Sequence, residues 1–296
     1  MRIGILTAGL AGAMACGGGD QAESATPIVV ETAGLQTPES VLHDATADVY
    51  LVSNINGGPL DKDDNGFIAR ITPAGRVTEL RWIDGADEAV TLHAPKGMAI
   101  IGDTLFVTDI DVVRLFHRVS GDPLGERAVA GATFLNDLAA GPAGTLYVTD
   151  TGLKAGAEGF EDSGTDAVYR YRNGQWETVA SGPGLGRPNG LAVTSEGITV
   201  VTFGSGAVYR LDPATGARTD LPMPEQGQLD GVVALADGSL LISSWRGEAV
   251  FRLLADGTYV VAADSLPAPA DLGVDAERQR VLVPLFTQHK VVIRSL

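Results

Sequence analysis

Apolar residues along this chain fall in short runs, each closed by Gly, Pro, Asn or Asp, and the runs return in sets. The first set reads 40–42, a polar turn over 44–48, then Val49–Asn54, Phe67–Ile71 and 77–82. Runs of this length, rich in β-branched residues and bounded by turn formers, predict strands. The second strands of five sets share an apolar core ending in Ser or Thr: Leu51-Val52-Ser53, Phe106-Val107-Thr108, Tyr147-Val148-Thr149, Val200-Val201-Thr202 and Leu241-Ile242-Ser243. In the sixth set Leu282-Val283-Pro284 takes that place, and its proline lacks a backbone donor. Third strands recur as Val168-Tyr169-Arg170-Tyr171, Val208-Tyr209-Arg210-Leu211 and Val250-Phe251-Arg252-Leu253. A repeat of roughly 40 to 50 residues made of four short strands predicts an all-β chain, a six-bladed β-propeller with blades of four antiparallel strands.

Every unit opens on the same slot: Pro38-Glu39-Ser40, Pro95-Lys96-Gly97, Leu135-Asn136-Asp137, Pro188-Asn189-Gly190, Leu229-Asp230-Gly231 and Pro269-Ala270-Asp271. Equivalent positions of the blades lie on a ring around the propeller axis. If the slot sits where the innermost strand enters the channel, Glu39, Asn136, Asn189 and Asp230 bring four oxygen-bearing side chains to one point. Two carboxylates and two amides neutralise a divalent ion and leave room for water or substrate. Calcium suits such hard oxygens, with Zn2+, Mn2+ or Mg2+ as alternatives. The competing reading is that polar residues at strand starts only satisfy turn amides. Lys96 would bring an ammonium to the same channel, to stabilise an oxyanion or to repel the metal, unless it extends to solvent. His93, three residues earlier, is a candidate proton shuttle.

Blade six shows only three strands before the sequence stops, while 27–31 is strand-like and stands outside blade one. The two are expected to pair, closing the ring and covering a sheet edge. Long gaps at 57–66 and 152–166 are expected to project and cover a channel mouth. The first of them, Asp61-Lys62-Asp63-Asp64-Asn65-Gly66, matches half of an EF-hand loop but has Thr72 where the loop needs a Glu, so it reads as a solvated acidic turn. Asp109 and Asp150 read as turn caps.

Composition narrows the partners. A net charge of −16 excludes a nucleic-acid partner that needs a basic face, and it suits an acidic soluble surface. Glycine, 38 of 296 residues, fits a chain that turns after every short strand. The first residues carry one Arg, an apolar stretch too short to span a bilayer, and Ala13-Met14-Ala15-Cys16. This reads as an export signal over 1–16 with a lipobox-like end, lipidation at Cys16, and a tether over 17–26 before a single domain at 27–296. The expected location is periplasmic or cell-surface, with membrane contact only through the lipid. Cys16 is the sole cysteine, which leaves no intrachain disulfide.

At the slot residues the chain resembles the family of senescence marker protein, gluconolactonase and luciferin-regenerating enzyme. The resemblance is carried by Pro38-Glu39-Ser40, Asn136-Asp137, Arg187-Pro188-Asn189-Gly190-Leu191-Ala192 and Leu229-Asp230-Gly231. It implies a channel metal and hydrolysis of a lactone or related ester. By that resemblance Glu39, Asn189 and Asp230 would be metal ligands, Asp230 also the general base, and Asn136 would hold substrate or the ion. The more distantly similar paraoxonases use an Asn-Asp pair for two calcium ions, which makes Asp137 a candidate for a second metal. Sugar-lactone hydrolases of the family carry Arg where this chain has Phe134, so Phe134 as a substrate-binding residue implies a more apolar lactone or ester. The alternative is a non-catalytic exported propeller that binds a small ligand or a partner protein. Nothing in the sequence fixes the oligomeric state.

Overall fold

A computed structural model describes residues 26–30, 34–157 and 159–296. The expected signal segment with Cys16, and all of the expected tether except residue 26, lie outside the described residues. Six four-stranded antiparallel sheets form the blades of a propeller, and the only helical elements among the described residues are three single 3-10 turns. No described helix is long and apolar enough to cross a membrane.

The innermost strands are Pro38–Asp44, Pro95–Ile101, Leu135–Ala140, Pro188–Thr194, Leu229–Ala234 and the much shorter Gly273–Asp275. Each blade buries its faces against the next through one apolar cluster per seam. Blades one and two share Leu51, Ile68, Met98 and Val107, and blades three and four share Val168, Leu191, Val200 and Tyr209. Burying each such side chain stabilises by about 1.5–3 kcal/mol, so the seams hold the ring together.

The last seam joins the two ends of the sequence. Ile28–Val30 pairs antiparallel with Lys290–Ser295 as the outermost strand of blade six, with Ile28 opposite Ile293 and Val30 opposite Val291. Val30 packs in one cluster with Val52 and Phe67 of blade one and Leu282 and Ile293 of blade six. The expected insertion after Gly152 is a separate two-stranded hairpin, Leu153–Gly156 paired with Gly159–Asp162.

What positions the slot residues is a break in the ladder. Five of the innermost strands lose register at the slot, as between Pro95 and Met98, Leu135 and Leu138, Pro188 and Leu191, or Leu229 and Val232. A bulge frees its residues from strand pairing and re-aims their side chains. Glycine after the slot allows the backbones to crowd at the axis. A Cβ on Gly231 would come within 2.7 Å of the Asp271 Cα, and one on Gly190 would run into the Asp230 carbonyl.

The Ser and Thr residues that end the second strands staple the bulges. Thr149 Oγ1 accepts from Asp137 N–H at 3.0 Å and donates to the Asn189 carbonyl of the next blade at 2.5 Å. Ser243 Oγ accepts from Gly231 N–H at 2.7 Å and donates to the Ala270 carbonyl at 2.9 Å. Thr108 donates to the Asn136 carbonyl in the same manner. Blade four departs from the sequence alignment. The pairings Leu191–Val200 and Pro188–Thr202 place Val201, not Thr202, at the stapling position. Thr202 instead bonds Ser205 and the backbone of Ala207.

Candidate functional site

Glu39, Lys96, Asn136, Asn189 and Asp230 all line one cavity of about 340 Å³ at one mouth of the channel. None is more than 5% exposed. Glu39 Oε2, Asn136 Oδ1, Asn189 Oδ1 and Asp230 Oδ1 are buried and have no hydrogen-bond partner among the described residues. Such orphaned oxygens are rare in folded proteins, because each forfeits its hydration without replacement. Here four of them belong to four equivalent positions. The Asn136 amide is oriented from behind: Nδ2 donates to Thr151 Oγ1 at 3.1 Å, and that hydroxyl donates to the Pro188 carbonyl at 2.9 Å.

Electrostatics tells the same story. Burial pushes the Glu39 carboxyl well above the usual range, with Asp230 and Asp271 adding repulsion. Asp230 is likewise raised by burial and then by Asp271, while the nearby Trp245 indole N–H, which makes no hydrogen bond among the described residues, works in the opposite direction. Without compensating positive charge, the two carboxylates resist ionising together. Among the described residues no group of three or more His, Cys, Asp or Glu side chains is arranged to hold a metal. The donor set here is instead two carboxylates and two amide oxygens, a hard-oxygen combination that fits a divalent cation of the calcium type.

Lys96 faces this cavity and not solvent. Its Nζ donates to the carbonyls of Pro59 at 3.0 Å and Ala94 at 2.9 Å and lies 4.8 Å from the centre of the Phe134 ring. Burial lowers its pKa to about 8, against the pull of Glu39 and Asp109. His93 is not in the cavity wall: Nδ1 meets the backbone N–H of Asp64 at 3.1 Å in the acidic loop of blade one. Asp109 and Asp150 are the expected caps. Asp109 accepts from Ala94 N–H at 2.8 Å, and Asp150 from the N–H groups of Thr133 and Phe134 at 3.0 and 3.1 Å.

Asp137 lies one residue beyond the slot and opens on the opposite channel mouth with Asp271. Both of its oxygens are engaged, Oδ1 by Leu138 N–H at 2.6 Å and Oδ2 by Leu191 N–H at 2.7 Å. Asp271 accepts from Ser40 Oγ at 2.5 Å, and burial raises its pKa to about 7.

The cavity walls hold residues that the slot alignment does not reach. Phe203, Trp245 and Phe286 each directly follow the second-strand residue that faces the start of the innermost strand, in blades four, five and six. Ile55 and Thr151 hold the same place in blades one and three, so a second ring of equivalent positions forms the wall above the first. Trp245 stands between Phe203, edge-on at 5.3 Å, and Phe286, tilted at 5.2 Å. Across the cavity Phe160, at the hairpin, meets Phe134 edge-on at 6.2 Å.

Comparisons with known proteins agree with this architecture. Residues 72–270 match the family described as the SMP-30/Gluconolactonase/LRE-like region. Among solved structures, a gluconolactonase from Xanthomonas campestris superposes with a TM-score of 0.70 at 17% identity, over 91% of this chain and 89% of that one. A luciferin-regenerating enzyme gives 0.66 at 15% identity, over 92% and 96%. A streptogramin B lyase gives 0.65 at 12% identity, over 92% and 97%. At these identities the likeness is one of fold, and the activities of these proteins already differ from one another. No curated protein sequence is significantly similar to the chain.

Proposed function

The chain belongs to the SMP-30/gluconolactonase/LRE-like family, and from that premise we propose that it hydrolyses a lactone or related ester at the slot ring, with a divalent ion, calcium by preference, as its cofactor. The observation that carries this reading is the set of four unpartnered, buried oxygens of Glu39, Asn136, Asn189 and Asp230 around one cavity. Those four residues would hold the ion. Bound there, it would polarise the substrate carbonyl and acidify water.

The chain's own groups divide the remaining work. Asp230, ionised once its neighbours' charge is compensated, takes a proton from the attacking water. The water oxygen bonds to the carbonyl carbon, the ring C–O bond breaks, and the departing alkoxide takes that proton back from Asp230 to give a hydroxy acid. Lys96 spends two donors on Pro59 and Ala94, and its remaining N–H is available to the negative charge that develops on the carbonyl oxygen. The aromatic wall excludes water, which strengthens each of these interactions.

The test pairs Asp230→Asn with calorimetric titration of chelator-treated protein. Wild type is expected to take up about one calcium ion and to turn over lactones, and the variant to lose roughly 10²–10⁴-fold in kcat while staying folded. Turnover by Asp230→Asn at the wild-type rate, or wild type that binds no divalent ion, would overturn the reading.

A further inference from the structure

We propose that the substrate carries an apolar group on its lactone ring, an aryl ring or a medium-length alkyl chain, and that Phe160 is the residue that selects for it. This rests on the slot ring being the hydrolytic site.

Apart from the Thr151 hydroxyl and the Trp245 indole N–H, the polar side-chain groups of the cavity belong to its floor. Above them stand Phe134, Phe160, Phe203, Trp245 and Phe286, and these walls offer almost nothing to a hydroxyl. The hydroxyl of Thr151 is already engaged in both directions, by Asn136 and by the Pro188 carbonyl. The wall's one unengaged side-chain donor is the Trp245 indole N–H, which has no partner among the described residues and lies near Asp230, so it could serve a single hydroxyl at most. A polyhydroxylated ring would therefore strip water from several hydroxyls without replacing it, at roughly 10- to 100-fold in affinity for each one left unpaired. An apolar substituent gains instead, by about fourfold per buried methylene. The volume of about 340 Å³ is at the small end for a ligand cavity, enough for a lactone ring with one such substituent.

Phe160 is the exposed member of this wall, 55% open to solvent. It stands on the hairpin inserted into blade three and not on a blade strand. The hairpin is held at its base by the Ser163 N–H on the Gly152 carbonyl at 2.8 Å and by Arg187 on Asp162 at 2.6 Å. Edge-on against Phe134, the Phe160 ring forms the outer end of an apolar slot that runs down to Asn136 and Lys96. A substituent long enough to leave the floor meets this ring and buries it. Phe160 thus acts on the substituent and not on the reacting carbonyl.

Initial rates of the calcium-loaded protein on four lactones test this: glucono-δ-lactone, δ-valerolactone, δ-decalactone and dihydrocoumarin. The apolar-substituted pair is expected to exceed glucono-δ-lactone by about 100-fold or more in kcat/KM, which is two hydroxyls at the lower cost above. Phe160→Ala should raise KM for that pair about 5- to 10-fold, leave kcat within about twofold, and leave δ-valerolactone unchanged, as loss of uniform binding predicts. Glucono-δ-lactone turned over as well as δ-decalactone, or a Phe160→Ala variant indifferent to the substituent, would overturn the proposal while leaving hydrolysis intact. Calorimetry with the hydrolysis-resistant lactams of decanoic and gluconic skeletons separates the two readings. If no lactone is hydrolysed but the decanoic lactam binds, more tightly than the gluconic one and more weakly to Phe160→Ala, the substrate class stands and the hydrolytic reading falls. If the decanoic lactam does not bind, the proposal is wrong.

Discussion

Asp230 and Asp137 are equally buried, both sit at ladder breaks of innermost strands, and both have raised pKa values, yet the protein treats them in opposite ways. Asp137 is bound on both oxygens by backbone N–H groups from two blades, so it stitches blade three to blade four. Asp230 keeps an oxygen that nothing satisfies, as do Glu39, Asn136 and Asn189. Burial and a perturbed pKa therefore do not by themselves distinguish a site from a strut. What sets Asp230 apart is unmet hydrogen-bonding capacity shared by four equivalent positions around one cavity. Asp137 as a second metal ligand would have to share oxygens that each already accept one backbone N–H.

The widest separation between the two aspartates should appear in stability. Asp137→Leu leaves the N–H groups of Leu138 and Leu191 without acceptors, and a loss of about 2–5 kcal/mol is expected in denaturant unfolding. Asp230→Asn removes a buried carboxyl whose ionisation folding disfavours, so near neutral pH the metal-free protein should become more stable by about 1–2 kcal/mol even as activity falls. Equal destabilisation by both would break the comparison.

A pH series sharpens it next. Glu39, Asp137, Asp230 and Asp271 all have folded-state pKa values above the ordinary carboxylate range, Asp271 at about 7. The folded protein thus holds protons that the unfolded chain has released. Their stabilising contribution is complete below about pH 4 and is lost as pH rises through the folded values. Asp44, Asp237 and Asp275 are shifted the other way, and their effect falls at more acidic pH. The metal-free melting temperature should therefore drop by several degrees from pH 5 to pH 7.5, and saturating calcium should flatten or reverse that slope, because binding requires ionised carboxylates. A melting temperature that rises over this range without metal would contradict the assignment of the ring as an uncompensated cluster.

The smallest expected effect concerns the staples. Thr149→Val deletes the hydroxyl between Asp137 N–H and the Asn189 carbonyl, and about 1–2 kcal/mol should be lost. Blade four already carries Val201 at that position, so the ring tolerates one missing staple. Thermal unfolding of the variant beside wild type measures the cost.

The sequence made the slot readable because the chemistry repeats at a fixed place in each unit: a bulge needs the same local backbone every time, and Gly97, Gly190 and Gly231 mark it. The closing strand was visible for a related reason, since an apolar run with no partner in its own blade has to find one elsewhere. The aromatic wall was hidden although it too repeats by position. Ile55, Thr151, Phe203, Trp245 and Phe286 share a backbone place but no chemistry, and a ring defined by geometry leaves no residue-type signature. The one-residue slip in blade four had the same origin. Thr202 looked like Thr149 by type, and only the pairing of Val200 with Leu191 shows that it stands one place later. Phe160 was beyond reach, because a hairpin inserted between blade strands obeys no repeat.

The joint between Ile28–Val30 and Lys290–Ser295 sets an order of assembly. Blades one to five can each form from strands that are neighbours in sequence, whereas the sixth must bring together segments ~265 residues apart, a closure whose entropy is modest only after the other blades have fixed the ends near each other. Completion of blade six is therefore expected to be the last event in folding and the first to reverse. The backbone amides that bond across this joint should exchange with deuterium through a local opening well below the global unfolding free energy, so that the circle breathes at its seam while the channel floor stays shut.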